Sequence, residues 1–219
     1  RIVYTILNDN QRPIAVEVSV AERRIDVNGA ERMLPTADLV AFPSQLVVAG
    51  GESRTVIVEW YGESVDVEQA YRVIAAQVPV DFGDDPEDRA RIRMNFRYVT
   101  SLYIRPPGSR PEPVVLDATV SETIEAPVDG ASELDSFDGP FASILVENRG
   151  SSRLTLSEAT YWVRRPDDAE EQAIAVEPVD TSSPIGVVLP RRSRRIFLAL
   201  PNEFSDLRPG SPLVVTFQQ

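Results

Sequence analysis

The 219-residue sequence contains no cysteine, no histidine and no lysine, and all 22 of its basic residues are arginine. Zinc sites built on cysteine or histidine, catalysis by either residue and Schiff-base chemistry on lysine are therefore excluded. A mechanism that uses only carboxylates stays open. The absence of cysteine fits both the cytosol and a secreted protein without disulfides, so it leaves the compartment undetermined.

Long apolar runs and an excess of positive charge are also missing. No run approaches the roughly 20 apolar residues that a membrane-spanning helix needs, which predicts no membrane span. The net charge of −12 argues against a nucleic-acid partner, because phosphate binding requires a basic surface. No signal peptide is visible, and residues 1–4 already read as a strand, so we expect that upstream residues were removed or left out.

Short alternating or β-branched runs bounded by Asn, Asp, Gly or Pro recur along the chain. They include RIVYTIL, PIAVEVSV, SRTVIVEWYG and YRVIAAQVPV in the first half, and FASILVENRG, RLTLSEATYWVRR, RRIFLALP and PLVVTF in the second. The densest proline cluster, PPGSRPEP, lies between the two sets, and a sheet must end there. This pattern predicts an all-β fold of two tandem sandwich domains, residues 1–106 and 113–219, joined by a proline-rich elbow over 107–112.

The segment RARIRMNFRYVTSLYIRPPG, residues 89–108, is the most unusual run. Apolar and mainly basic residues alternate over more than a dozen positions, which predicts one strand far longer than the usual 5–6 residues or so. The apolar positions ahead of the elbow are Ile92, Met94, Phe96 and Tyr98, and Leu102 and Ile104 continue their phase. A sandwich of this size does not usually cover a strand of such length. We therefore expect an uncovered apolar row, which invites another chain to add a strand.

The acidic run DFGDDPED, residues 81–88, is a candidate for calcium binding, because hard cations prefer several carboxylate oxygens. It lacks the spacing of any established calcium loop, and acidic hairpin loops are usually just solvated. The sequence therefore predicts no metal site and no cofactor.

Six segments, taken in order, resemble the periplasmic PapD-like chaperones of the chaperone–usher pathway, which assemble pili and fimbriae in Gram-negative bacteria. They are ILNDNQRPIAVEV, AFPSQLVVAGGESRTVIV, YRVIAAQVP, SLYIRPPG, ILVENRGSSRLTLSEA and VVLPRRSRRIF. The fourth is similar to the LFYRP signature that closes the first domain of the family. The resemblance implies two immunoglobulin-like sandwich domains in an L-shaped arrangement.

The resemblance also implies a function without enzymatic activity. A chaperone of this family works in the periplasm, lends the strand before the elbow to a pilin or fimbrial subunit, and delivers the subunit to an outer-membrane usher. By position, Ile92, Met94, Phe96 and Tyr98 would fill the groove of the subunit, and the following Leu and Ile would stay in the chaperone core. Self-association through the exposed strand edge is left open.

Two family features are altered in this sequence. The family anchors the carboxylate of the subunit with an arginine on its first strand and a lysine just before LFYRP. That strand would lie before residue 1, and the lysine position reads Ser101. Arg97 on the same face is the first candidate substitute, and Arg105 is the second. For the ion pairing at the domain junction, Arg105 matches the family arginine, Gln77 stands at the glutamate position, and Asp206 is the candidate third member.

Two other classes of protein fit the same strand pattern. One is a structural or adhesive surface protein with tandem immunoglobulin-like domains. The other is a carbohydrate-active enzyme of two β domains that uses an Asp/Glu pair. With 7% aromatic residues and no evident carboxylate pair beside stacking residues, the sequence favours the chaperone over the enzyme.

Overall fold

The computed structural model describes residues 1–80, 95–124, 140–157, 159–179 and 186–218. In this part of the chain the regular elements are strands, with two short 3-10 helices, Glu170–Gln172 and Asn202–Phe204, and no α-helix. The chain divides into two compact units. The first comprises Arg1–Arg23, Met33–Ser64 and Gln69–Ile104, and the second Arg24–Arg32, Val65–Glu68 and Arg105–Gln219. The predicted all-β fold with two sandwich units is confirmed.

The described residues of the first unit form eight strands in two sheets. Their bounds are Ile2–Leu7 (β1), Ile14–Ile25 (β2), Glu31–Pro35 (β3), Leu39–Phe42 (β4), Gln45–Val48 (β5), Ser53–Trp60 (β6), Gln69–Val78 (β7) and Arg97–Ile104 (β8). One sheet has the order β1-β6-β4, and the other has the order β3-β2-β7-β8, with β5 paired to β2. The pairs β1–β6, β4–β6, β2–β7 and β7–β8 are antiparallel, and a period of two places one face of each strand in the core.

The alternation in β2 shows why these runs fold as strands. Val16 and Val18 point into the sandwich and are buried, whereas Glu17 between them and Ser19 after them are exposed. The buried valines share one cluster with Tyr71 of β7 in their own sheet and with Val56 and Val58 of β6 in the opposite sheet. Burial of each such side chain contributes about 1.5–3 kcal/mol, so the cluster holds the two sheets face to face.

The second unit repeats this plan with its own core. Its strands are Pro113–Ser121 (β9), Phe141–Asn148 (β10), Leu154–Thr155 (β11), Thr160–Arg164 (β12), Ile174–Val176 (β13), Val187–Val188 (β14), Arg192–Ala199 (β15) and Val214–Gln218 (β16). They form sheets of order β15-β10-β9 and β13-β12-β16 and a two-stranded pair, β11-β14. The central strand β10 is buried along most of its length, which is expected for a strand paired on both edges.

A buried asparagine ends the first strand of the first unit. The side-chain amide of Asn8 donates hydrogen bonds to the carbonyls of Arg12 at 2.8 Å and Val48 at 3.0 Å. Its side-chain oxygen accepts from the backbone N–H of Asn10 at 3.1 Å. One side chain therefore satisfies backbone groups of two different loops, which matters because buried backbone groups without partners are costly.

The second unit contains an equivalent buried asparagine at the end of β10. The amide of Asn148 donates to the carbonyls of Ser152 at 2.8 Å and Val188 at 3.0 Å. Its oxygen accepts from the backbone N–H groups of Glu112 at 3.1 Å and Gly150 at 3.0 Å. In both units the asparagine reaches carbonyls four and forty residues further along the chain, so the two units share this staple at the same spacing.

Tyr161 on β12 is a buried ionisable group of the second core. Its hydroxyl donates to the carbonyl of Leu156 at 2.8 Å, and burial raises its pKa above the ordinary value of about 10. Below pH 10 the hydroxyl is protonated in both the folded and the unfolded chain, so the stability that it contributes is fully present. Above pH 10 the unfolded chain ionises first, and the folded state loses stability as the pH rises.

Replacing Tyr161 with phenylalanine is expected to remove this alkaline sensitivity. At pH 8 the variant should be about 1 kcal/mol less stable than the wild type, because one buried hydrogen bond is lost. Above pH 10 the difference should shrink by about 1.4 kcal/mol per pH unit and then change sign. Denaturant unfolding of both proteins between pH 8 and 11.5 measures this difference in stability. A difference that stays constant over this range would contradict a raised pKa of Tyr161.

Candidate strand-donor site

Strand β8 is the last strand of its sheet among the residues that the structure describes. It pairs antiparallel with β7, from Gln69 opposite Ile104 to Ala76 opposite Arg97. The N–H of Gln77 donates to the carbonyl of Phe96 at 2.9 Å, so the pairing continues one residue before the strand begins. The predicted long strand is thus seen from residue 96 onward, and two of the predicted donor residues, Ile92 and Met94, lie outside the described residues.

The ladder fixes which backbone groups of β8 face away from β7. Bonded and non-bonded pairs alternate in an antiparallel ladder, and Gln77 with Phe96 is a bonded pair. Even-numbered residues of β8 therefore direct their N–H and C=O groups toward β7, whereas Arg97, Val99 and Ser101 direct theirs outward. An edge with outward-facing N–H and C=O groups is a template for another strand.

One face of β8 is buried at one end of the strand and exposed to solvent at the other. Leu102 is 3% exposed and belongs to the core of the first unit, whereas Tyr98 and Phe96 in the same phase are 72% and 50% exposed. Four consecutive residues, 97 to 100, are exposed. The apolar side chains on this face of β8 are thus buried in the core at its C-terminal end and exposed to solvent at its N-terminal end.

The two exposed aromatic residues contact each other. The ring centroids of Phe96 and Tyr98 are 6.4 Å apart, and the ring planes are inclined by 27°. Alternate residues of a strand lie on the same side, which brings the rings together. The result is one continuous apolar surface of two rings.

The two predicted anchor residues, Arg97 and Ser101, lie on the other face of β8. Ser101 accepts a 2.6 Å hydrogen bond from the guanidinium of Arg72, which stands directly opposite on β7. Arg97 is exposed, and its guanidinium lies 4.0 Å from the sulfur of Met33. Sequence reasoning missed Arg72, because its contact with Ser101 depends on the strand register.

At the end of β8, Arg105 is paired with a residue that the sequence did not single out. Its guanidinium lies 3.8 Å from the carboxylate of Glu68, whose side chain is almost completely buried. Glu68 also accepts hydrogen bonds from the backbone N–H of Arg153 at 3.2 Å and from its guanidinium at 3.0 Å. One carboxylate therefore lies beside two guanidinium groups.

The other two residues predicted for the junction have different surroundings. The carboxylate of Asp206 forms a bidentate pair with Arg165, at 2.6 and 3.0 Å, and not with Arg105 as the sequence suggested. Hydrogen bonds from Arg165 hold the pKa of Asp206 below its usual value. Gln77 lies on β7 opposite Val16. The pairing of Asp206 follows from the fold, which brings its loop to the end of β12.

Within the described ranges no group of three or more acidic residues could hold a metal ion, and the acidic run 81–88 lies outside those ranges. The same described ranges contain no helix long and apolar enough to cross a membrane.

Three solved structures are similar to the chain over most of its length. The class 5 fimbriae chaperone CfaA has a TM-score of 0.58 at 10% sequence identity, with 100% of this chain and 92% of CfaA covered. A chain of the CsuC–CsuE chaperone–tip subunit complex from the Csu pili of Acinetobacter baumannii has a TM-score of 0.56 at 12% identity, covering 98% and 89%. The E. coli chaperone DraB has a TM-score of 0.50 at 15% identity, covering 92% and 77%. At these identities the likeness shows the fold alone.

The sequence comparisons concern the first unit. No curated protein matches the chain at a significant level. Residues 2–110 match the family model described as pili and flagellar-assembly chaperone, PapD N-terminal domain. This range contains the eight strands described for the first unit, including β8 with its outward edge. The chain therefore belongs to the family of pili and flagellar-assembly chaperones with a PapD N-terminal domain.

Proposed function

We propose that the protein is a periplasmic chaperone that binds pilus or fimbrial subunits by donor-strand complementation and delivers them to an outer-membrane usher. The observation that carries the proposal is the outward edge of β8, flanked by the exposed rings of Phe96 and Tyr98. A subunit that lacks one strand would pair with this edge and take the rings into its groove. The family is one of chaperones, which is not an enzyme class, and we assign the protein no reaction, cofactor or metal.

The free energy of such binding comes mainly from strand addition. Burying two large apolar side chains contributes about 1.5–3 kcal/mol each, and each ladder hydrogen bond adds about 0.5–1.5 kcal/mol net. A single charge-assisted anchor contributes about 1.5–3 kcal/mol. Replacement of the family lysine by Ser101 is therefore expected to change register and subunit choice more than it weakens binding.

The other predicted residues enter as parts of the same proposal. Ile92 and Met94 would extend the row of donor side chains beyond Phe96. Arg97 and Ser101, the latter bonded to Arg72, would lie beside the carboxylate of the bound subunit. The residues predicted for the domain junction, and an elbow over 107–112, stay predictions. Release would occur when the strand of a neighbouring subunit replaces β8, without ATP.

Replacing Phe96 with aspartate is expected to weaken subunit binding by about 100-fold or more. The variant loses the burial of one ring and must place a carboxylate in an apolar groove, which together cost several kcal/mol. The ring is half exposed in the free protein, so the chaperone itself should stay folded. Co-expression with a subunit from a neighbouring gene, followed by affinity purification of the chaperone, measures the yield of complex.

A matched control changes another exposed apolar residue of the same unit. Val40 lies on β4, in the sheet that does not contain β8, and is also about half exposed. Its replacement by aspartate should leave the yield of complex unchanged. Equal yields for the Phe96 variant and the wild type would refute the donor role of β8.

A further inference from the structure

Three loops lie side by side at one end of the second unit. The N–H of Arg149 donates to the carbonyl of Glu112 at 2.8 Å, and the N–H of Arg191 donates to that of Asn148 at 2.7 Å. Neighbouring strands of a sheet lie about 4.8 Å apart, and β10 lies between β9 and β15, so the loops together span about 10 Å. They are residues 109–112 before β9, residues 149–153 after β10 and residues 189–192 at the start of β15.

Arginine dominates these three loops. They contain five arginines and one acidic residue, although acidic residues outnumber basic residues by 34 to 22 in the whole chain. The arginines are Arg110, Arg149, Arg153, Arg191 and Arg192, and the acidic residue is Glu112. Arg149 pairs with Glu147 at 2.6 Å, and Arg153 pairs with Glu68 at 3.0 Å. The other three arginines are exposed, and no carboxylate of the described residues pairs with their side chains.

Arg191 has a backbone conformation that glycine adopts more readily. Its φ is 56°, and among the described residues it is the only one other than glycine with a positive φ. A β-carbon makes this left-handed region unfavourable. The hydrogen bond from its N–H to the carbonyl of Asn148 fixes the conformation, but a glycine would make the same bond. The arginine is thus kept at a cost in stability, which is typical of a residue with a function beyond folding.

The small size of this basic surface determines which anion fits it. Salt screens charges over about 8 Å at physiological ionic strength, so a short acidic loop that contacts the surface interacts mainly with its arginines. An extended polyanion, such as a nucleic acid or an anionic membrane, would also face the rest of a chain whose net charge is −12 and would be repelled. Each guanidinium can donate two parallel hydrogen bonds to one carboxylate.

We infer that the basic end of the second unit, formed by Arg110, Arg191 and Arg192, binds an acidic loop of a protein partner. Carboxylates of the partner would pair with the three guanidinium groups that no carboxylate of the described residues neutralises. This binding goes beyond the proposed function, because the surface lies on the second unit and requires no strand addition to β8.

Fluorescence anisotropy of a labelled peptide of six glutamates, titrated with the full chain, tests this inference. The wild type is expected to bind the peptide at about 50 mM salt and more weakly at about 200 mM, because salt screens exposed charges. One exposed ion pair contributes about threefold in affinity, so Arg110→Gln/Arg192→Gln should bind about tenfold more weakly. Arg191→Gly should bind about threefold more weakly and unfold at no lower temperature, because glycine adopts the left-handed conformation without strain.

A matched variant separates the basic end from the net charge of the chain. Arg1→Gln/Arg208→Gln removes two exposed arginines outside the three loops. Arg208 lies near the opposite end of β9, where the N–H of Gly210 donates to the carbonyl of Val120. This variant should bind the peptide within about twofold of the wild type. Equal weakening by both double variants would overturn the inference, because binding would then depend on net charge alone.

Other results would also overturn the inference. They are the absence of binding by the wild type, equal binding of a peptide of six serines, and an affinity of Arg110→Gln/Arg192→Gln within about twofold of the wild type. Vesicles of phosphatidylcholine and phosphatidylglycerol in equal parts provide the last comparison. Binding to these vesicles that the same two substitutions abolish would identify a membrane surface as the occupant and overturn the inference. None of these measurements involves strand donation by β8, so the proposed function stands or fails separately.

Discussion

Replacing Asn148 with alanine is expected to lower the free energy of unfolding of the second unit by about 3–5 kcal/mol. The side chain makes four hydrogen bonds to backbone groups in two loops and in strand β14, and it is completely buried. Removing one partner so that a buried group is left unsatisfied costs about 1–3 kcal/mol per group. Water that enters the space left by the amide would hydrogen-bond to some of the four backbone groups. The expected loss of stability is therefore smaller than the sum of the four individual penalties.

Denaturant unfolding, followed by the fluorescence of Trp162 in the second unit, measures the effect. The matched control is Asn202→Ala, because Asn202 is an exposed asparagine of the same unit and its loss should change the stability by less than about 0.5 kcal/mol. Asn8→Ala should destabilise the first unit by a similar amount, since the two asparagines make equivalent contacts. A loss below about 1 kcal/mol for Asn148→Ala would mean that the staple does not stabilise the unit.

The strands and their inward faces could be read from the sequence, because a period of two records directly which side chains enter the core. Val16 and Val18 of β2 and Leu102 of β8 are buried as that period requires. The two asparagines were also visible, in NDN and NRG, but only as turn signals. Each asparagine also bonds a carbonyl forty residues further along the chain, and a local sequence pattern does not indicate such a distant contact.

The polar contacts of the site were the least predictable part. Arg72 reaches Ser101 because the β7–β8 register places them opposite each other, and a shift by one residue would have separated them. Glu68 precedes β7 in a segment with no distinctive pattern, yet it is the buried partner of Arg153. The resemblance singled out the arginine at position 105, but it did not indicate the partners that the structure shows for it, Glu68 and Ser109.

The exposed part of β8 was anticipated for a physical reason. An alternating run longer than a sandwich can cover must leave some of its apolar positions open, and the structure places the transition between Leu102 and Tyr98. The sequence did not indicate at which residue of β8 the side chains change from buried to exposed. That position depends on how far the opposite sheet extends, which the sequence of β8 does not contain.

Replacing Val99 with proline is expected to abolish capture of the subunit while the free chaperone stays folded. The N–H of Val99 faces away from β7 and has no hydrogen-bond partner among the residues that the structure describes, and proline is tolerated on an edge strand. In the complex, β8 lies between two strands and becomes central. There proline removes a ladder bond and its ring obstructs the incoming strand, so binding should fall by about 100-fold or more.

Two further variants locate the effect at the outward edge. Val99→Thr keeps the N–H group and the β-branched shape, and it should bind the subunit like the wild type. Thr100→Pro places the same ring one residue further along, where the N–H faces β7, and it should destabilise the free chaperone by removing a native ladder bond. Thermal unfolding separates these two consequences, and the yield of co-purified subunit reports on binding. If Val99→Pro were folded and captured the subunit at the wild-type level, the partner could not be adding a strand along this edge, because the backbone group on which that pairing depends would be absent.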